Sequence, residues 1–333
     1  MDRRSFLIRG VRCCGAGLAA AAGMAPAGGE DPEPIPSAGA ATAAEHESGA
    51  AVSPAPTAPP SAPPDLVCAR GDPAEALRRA LDALGGIRRF VQPDQVVLVK
   101  PNAAFVAPPE WGATTHPAVL AALLELCCEA GARRILVVDH TLAPAERCFA
   151  RTGIADAVAA FPKAKLASLD DERAYEPIDV PQGRSLRRTA VAGVVRRADV
   201  FINLPTAKSH SATGVSFGLK NLMGLVWDRQ TFHHDMDVHT GVADLATVLR
   251  PHLTVLDAMV LLRTGGPAGP GESETFGGVV AGVDPVAVDA YAVGLTPWNR
   301  QTLVPEQVGF IKQAAQLGVG TLDLAALRIL ELA

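Results

Sequence analysis

From residue 65 onward the chain alternates short β-branched apolar runs with helical runs, and this alternation limits the folds open to it. Residues 65–70, 96–100, 134–139, 199–204, 253–259 and 278–282 read as strands. Residues 73–84, 117–130, 241–249 and 285–293 read as helices, three of them with a proline at the start. Gly85-Gly86 and Gly131 close two of these helices. Residues 217–226 read as a further short helix. Such a series predicts an α/β domain with a largely parallel sheet and flanking helices. Ligands of these sheets bind beyond the carboxyl ends of the strands, so polar residues just after strands carry the most weight.

The first 64 residues do not fit that pattern. Arg3-Arg4-Ser5-Phe6-Leu7 is followed by an alanine- and glycine-rich apolar stretch, then by Ala25-Pro26-Ala27. Charged, apolar and small-residue regions in that order predict a signal peptide over 1–27, of the twin-arginine type. The predicted partner is the twin-arginine translocase, and the predicted location is periplasmic or otherwise exported. Residues 28–64 are rich in Pro, Ala, Ser and Glu. Such a segment buries too little apolar surface to offset its ordering entropy, so it reads as a linker. The α/β domain then occupies 65–333.

That domain carries 26 basic and 29 acidic residues, a formal charge of −3, with no basic run. Nucleic acid is therefore not expected as a partner. No apolar stretch reaches the roughly 20 residues of a membrane span. Cys68, Cys127, Cys128 and Cys148 contain no Cys-x-x-Cys, so no cysteine-ligated iron–sulfur cluster is expected.

Lysine usage is the sharpest compositional signal. The chain has 24 arginines and six lysines, so its generic surface cation is arginine. Lysine is a compact point charge that can lose its proton when desolvated, which suits anion binding and base or nucleophile chemistry. Lys100 and Lys208 fall just after predicted strands, and Lys220 opens Lys-Asn-Leu-Met-Gly. Lys163 and Lys165 flank a short strand and read as solvated. Lys208 and His210, two apart in an extended segment, point the same way. Histidine suits proton transfer, which makes Lys208, His210 and His116 the candidate catalytic residues. Lys100, Asn102, Thr115, Lys220 and Asn221 are the candidate contacts to a small anionic ligand.

Thr114 or Thr115 is expected to cap the helix that begins near Pro117, whose N-terminus also suits an anion. Residues 232–239 gather three histidines and two aspartates. A divalent metal there would take His234 and His239, with Asp257 from elsewhere. A solvated polar loop is the other reading of that segment. Asp139-His140 also follows a strand, Asp284 is expected as a helix cap, and Gly265–Gly271 is a turning loop that could lie over a site.

Several runs share an order. Val99-Lys100-Pro101-Asn102 precedes Thr114-Thr115-His116-Pro117, then come Asn203 to His210, Leu219-Lys220-Asn221-Leu222-Met223-Gly224, Asp257 and Asp284 to Asp289. Together they resemble the bacterial and archaeal family called domain of unknown function 362, over about 96–332. The resemblance implies an α/β fold, distantly like the N-terminal part of nickel-dependent lactate racemase. Some members carry a ferredoxin-type domain, whose cysteines this chain lacks. Two functions remain open: an exported enzyme acting on an anionic small molecule, with or without a metal, or a non-catalytic ligand- or cofactor-binding protein.

Overall fold

The computed structural model describes residues 62–333. The expected signal peptide and nearly all of the expected linker lie outside the described residues. Twelve strands occur among those described: β1 (Leu66–Arg70), β2 (Val96–Pro101), β3 (Arg134–Asp139), β4 (Ala164–Ser168), β5 (Tyr175–Asp179), β6 (Arg188–Ala192), β7 (Val200–Leu204), β8 (Thr206–His210), β9 (Gly214–Ser216), β10 (Leu253–Leu262), β11 (Ser273–Gly282) and β12 (Ile329–Leu332). The helices that matter here are α1 (Pro73–Ala83), α2 (Pro117–Glu129), α3 (Gly218–Asn221), α4 (Val238–Ala246), α5 (Pro285–Val293) and α6 (Gly309–Gln316).

The main sheet runs β12-β1-β11-β10-β7-β2-β3-β4, with β8 branching from β10 and β9 pairing with β8. Its centre, β10-β7-β2-β3-β4, is parallel throughout. The largely parallel sheet with flanking helices is thus the fold the alternation predicts. The antiparallel pairings of β11 with β1 and β10 were not legible, because that pattern shows strands but not their partners.

Alternate side chains of each strand enter opposite layers. Val97, Val99, Ile135 and Val137 pack with Leu77 of α1 and Leu120 of α2. Leu98, Val138 and Leu256 pack on the other face with Leu219 of α3, Val288 of α5 and Phe310 of α6. The chain runs outward from β2 to β3 and β4, then returns to lay β7 on the other side of β2. Strand order therefore reverses between β2 and β7, the place where open α/β sheets leave a crevice.

One predicted cap and one predicted helix start differ, for local reasons. His116, rather than either threonine, caps α2, its Nδ1 accepting from the Ala118 amide at 3.2 Å. Thr115 instead donates to the Leu204 carbonyl at 2.7 Å and accepts from the Asn102 amide at 2.8 Å, tying β7 to the segment after β2. Helix α4 starts at Val238 rather than 241 because the Asp237 carboxylate accepts from the Thr240 amide at 2.9 Å. Asp284 caps α5 as expected, accepting from the Val286 and Ala287 amides.

Candidate functional site

At the carboxyl ends of β2, β3 and β8 a cavity of about 930 Å³ opens. Its floor is basic. Lys100, Lys208 and Lys220 all line it, and so do Asn102, His210 and Asn221. Lys163, Lys165 and Lys312 are exposed elsewhere.

Lys100, next to last in β2, donates to Asp139, at the end of β3, at 2.7 Å. Both side chains are nearly inaccessible. Gly224 makes the pair possible: a Cβ there would sit 2.7 Å from the Lys100 Nζ and collide with Asp139 Oδ1. From this pair a polar chain crosses the floor. Lys100 donates to Asn221 Oδ1 at 3.1 Å, and Asn102 donates to the same oxygen at 3.2 Å. Lys208 donates to Asn102 Oδ1 at 3.2 Å and to the Ala113 carbonyl. Asn221 is held in turn by donating to Asn203 Oδ1 at 2.8 Å.

Helix α3, which carries Lys220 and Asn221, is only four residues long. A buried carboxylate fixes it: Asp289 accepts from the Gly218 amide at 2.7 Å and the Leu219 amide at 2.9 Å. Burial pushes Asp289 up to about 7, against the pull of those two amides.

Lys208 and Lys220 have no carboxylate within ion-pair distance among the described residues. Besides its two oxygen acceptors, Lys208 faces the Phe105 ring at 4.7 Å. Among the described residues Lys220 Nζ has only the Met223 sulfur, at 3.5 Å. Burial pushes Lys208 well below the ordinary lysine range, and the nearby Lys220 adds to that. Burial, with Arg229 close by, lowers Lys220 to about 8. Burying a cation without its counter-charge is costly, and such a cost at a cavity surface marks a place for an anion.

His210 presses the same point. Burial, Lys220 and Lys208 push it down to about 3. Its Nδ1 accepts from the Ala212 amide at 3.1 Å, which assigns the proton of the neutral ring to Nε2.

Arg229 and Trp227 also line the cavity, and neither was singled out from sequence. Arg229 donates to the His140 carbonyl at 2.8 Å and the Thr141 carbonyl at 3.2 Å. One arginine among 24 carries no compositional signal, and its partners lie almost ninety residues away. The 265–271 loop reaches the rim through Pro267 and is pinned where the Gly266 amide donates to Ser209 Oγ at 3.1 Å.

The remaining candidates do not join the cavity floor. His116 and Thr115 do not line the cavity, since one caps α2 and the other ties strands. His234 is exposed at the rim. His239 accepts from the Phe310 amide at 3.1 Å and stacks on that ring. Asp257 accepts from the His116 amide at 2.6 Å and the Met259 amide at 2.9 Å. The structure therefore does not bring His234, His239 and Asp257 together. Among the described residues no three His, Cys, Asp or Glu side chains form a group that could hold a metal ion. The four cysteines among the described residues are free thiols.

The family model for the domain of unknown function (DUF362) matches residues 97–294, the stretch that supplies every charged residue of the cavity floor. The chain belongs to this family. Another protein similar to this DUF362 chain is the thylakoid-associated protein sll1697 of Synechocystis sp. It is 27% identical over 259 residues, covering 73% of this chain and 77% of its own length. Among solved structures, the lactate racemase apoprotein of Thermoanaerobacterium thermosaccharolyticum is similar at a TM-score of 0.41 and 14% identity. That likeness covers 59% of this chain and half of the racemase chain. It is too distant to assign a role to any residue here. No helix among the described residues is long and apolar enough to cross a membrane.

Proposed function

We propose that this DUF362 protein binds an anionic small molecule in the cavity at the ends of β2, β3 and β8. One observation carries the reading: Lys208 and Lys220 are buried at the cavity surface without a carboxylate partner among the described residues. A bound anion supplies the missing counter-charge. Asn102 and Asn221 hold the floor in register, and the neutral His210 offers a hydrogen bond from Nε2.

An anion stabilises the protonated lysines, so its binding takes up protons. Lys220 is charged below about 8 and neutral above it. Affinity is therefore expected to fall as pH rises through about 8. Isothermal calorimetry with inorganic phosphate and a panel of phosphate esters and carboxylates checks this, run in buffers of different ionisation enthalpy. Binding that is absent, or that strengthens above pH 8, sinks the reading.

An enzyme would use Lys208, whose desolvated amine suits base or nucleophile chemistry. His210 favours a second reading, that of a carrier, because a ring held to about 3 is a poor proton acceptor near neutrality. Turnover of hydroxy acids or phosphate esters separates the two, since a carrier binds without converting.

The proposed place of work is outside the cytoplasm. Its support is the order Arg3-Arg4, apolar stretch, Ala25-Pro26-Ala27, together with a thylakoid-associated relative. Exchanging Arg3 and Arg4 for lysines is expected to hold the protein in the cytoplasm. Fractionation that still finds it exported removes the twin-arginine route.

A further inference from the structure

The cavity offers more than positive charge. An aromatic wall also lines it. His140 and Trp227 stack with centroids 5.6 Å apart and planes 7° from parallel. Tyr175 tilts against the Trp227 ring at 5.3 Å. Trp227 and His140 both line the cavity, and the apolar side chains of Leu142 and Phe105 extend the lining.

This wall is fixed in place. Tyr175 donates its hydroxyl proton to the Leu169 carbonyl at 2.7 Å. Its oxygen lies 3.1 Å from His140 Nδ1, which also lies 3.2 Å from the Val226 carbonyl. Two acceptors on Nδ1 assign the ring proton there and leave Nε2 as an acceptor. Among the described residues Nε2 has no partner. Arg229 holds the backbone that leaves the His140 ring, donating to the His140 and Thr141 carbonyls.

Charge and size narrow the ligand. Lys100 is already paired with Asp139, and Arg229 is held by two backbone carbonyls, so the two lysines left without such partners are matched by about two negative charges. A phosphate monoester supplies them near neutral pH. Bare phosphate fills little of about 930 Å³, near the top of the range for sites that hold whole small molecules. Exposed carboxylates on the rim, Glu172 and Asp228, would repel a ligand whose far end were also anionic.

We propose that the ligand is a phosphate monoester carried on a planar ring, the chemistry of a nucleoside monophosphate. Its phosphate lies over Lys208 and Lys220, and its ring lies against the Trp227–His140 wall. An exocyclic amine on the ring would donate to His140 Nε2. This rests on the anion-binding reading and adds the ring to it.

The test compares AMP, ribose 5-phosphate and inorganic phosphate by calorimetry on the folded chain. AMP is expected to bind about tenfold or more tighter than ribose 5-phosphate, the yield of one base stacked on an aromatic side chain. In Trp227→Ala that ratio is expected to collapse toward one. Should this variant not fold, Trp227→Leu takes its place. Equal affinities for AMP and ribose 5-phosphate in the native protein overturn the ring proposal and leave the anion reading standing. Failure of all three compounds to bind, while a carboxylate binds, overturns it as well. Failure of every anion takes both readings down together.

Discussion

Replacing Lys208 by methionine is expected to make the protein more stable and unable to bind its anion. The two effects share one cause. Lys208 is 1% exposed. Its ammonium has two uncharged oxygen acceptors and a ring face, but no carboxylate among the described residues. Burial pushes it well below the 10.5 of an ordinary lysine. At neutral pH the unfolded chain therefore holds this proton more firmly than the folded one, and folding bears the difference. Methionine keeps the length and the contact with Phe105 while removing the charge. Exchanging a buried ion pair for apolar groups of similar size has been worth up to about 1–4 kcal/mol, and a gain of that order is expected for this lone buried ammonium. The gain is expected to be full in acid and to fade as pH approaches 10.5, where the unfolded lysine also loses its proton. Anion affinity should fall at least about thirtyfold, as when one partner of a buried charge pair is lost. Thermal melts without ligand and calorimetry with phosphate read the two effects. A variant that is less stable and still binds would make Lys208 a structural residue. The opposite signs would show a cost in stability kept for the sake of binding.

The legibility of this site follows from how far each signal reaches along the chain. Local rules served well: Pro285 and the Asp284 cap located α5 to the residue. Scarcity picked out Lys100, Lys208 and Lys220 among six lysines, and the structure places all three in one cavity. Scarcity works because it compares a residue with the habits of the whole chain. The same logic hid Arg229, which looks like any other arginine until the fold sets it beside the loop after β3. Histidine misled for a related reason. His116 caps a helix and His239 takes the Phe310 amide, tasks that leave no mark distinguishing them from a ligand's partners. Pairings of long reach, such as Lys100 with Asp139 or Asp289 with the Gly218 amide, need the sheet order to be seen.

Asp139→Asn is expected to be the most damaging single change in the cavity. Asp139 is one half of a pair whose side chains are 1% and 2% exposed. Its Oδ1 accepts from Lys100 and from the His140 amide at 2.9 Å, while Oδ2 accepts from the Ala103 amide at 2.7 Å. Asparagine has the same shape but brings an NH₂ group to a place ringed by donors. Either Lys100 or the Ala103 amide then faces another donor, and the Lys100 charge is left without compensation. Removing one partner of a buried pair costs about 3–5 kcal/mol, a fall in Tm of about 10 °C for a domain of this size. Lys100 is already pushed down by burial, with Asp139 as the main opposing influence. Without the carboxylate it is expected to shed its proton more readily, so the variant should regain part of its stability as pH rises. A second change gives the decisive contrast. Lys100→Met added to Asp139→Asn removes the stranded charge and should recover much of the loss, a coupling of the kind double-mutant cycles measure. If the double variant is no more stable than Asp139→Asn alone, the carboxylate serves the backbone amides of Ala103 and His140 rather than the lysine. Gly224→Ala approaches the same pair from the other side, because its new methyl group would displace both partners. It should therefore share the loss of stability, and the Lys100→Met change should relieve only part of it, since the methyl group still meets Asp139.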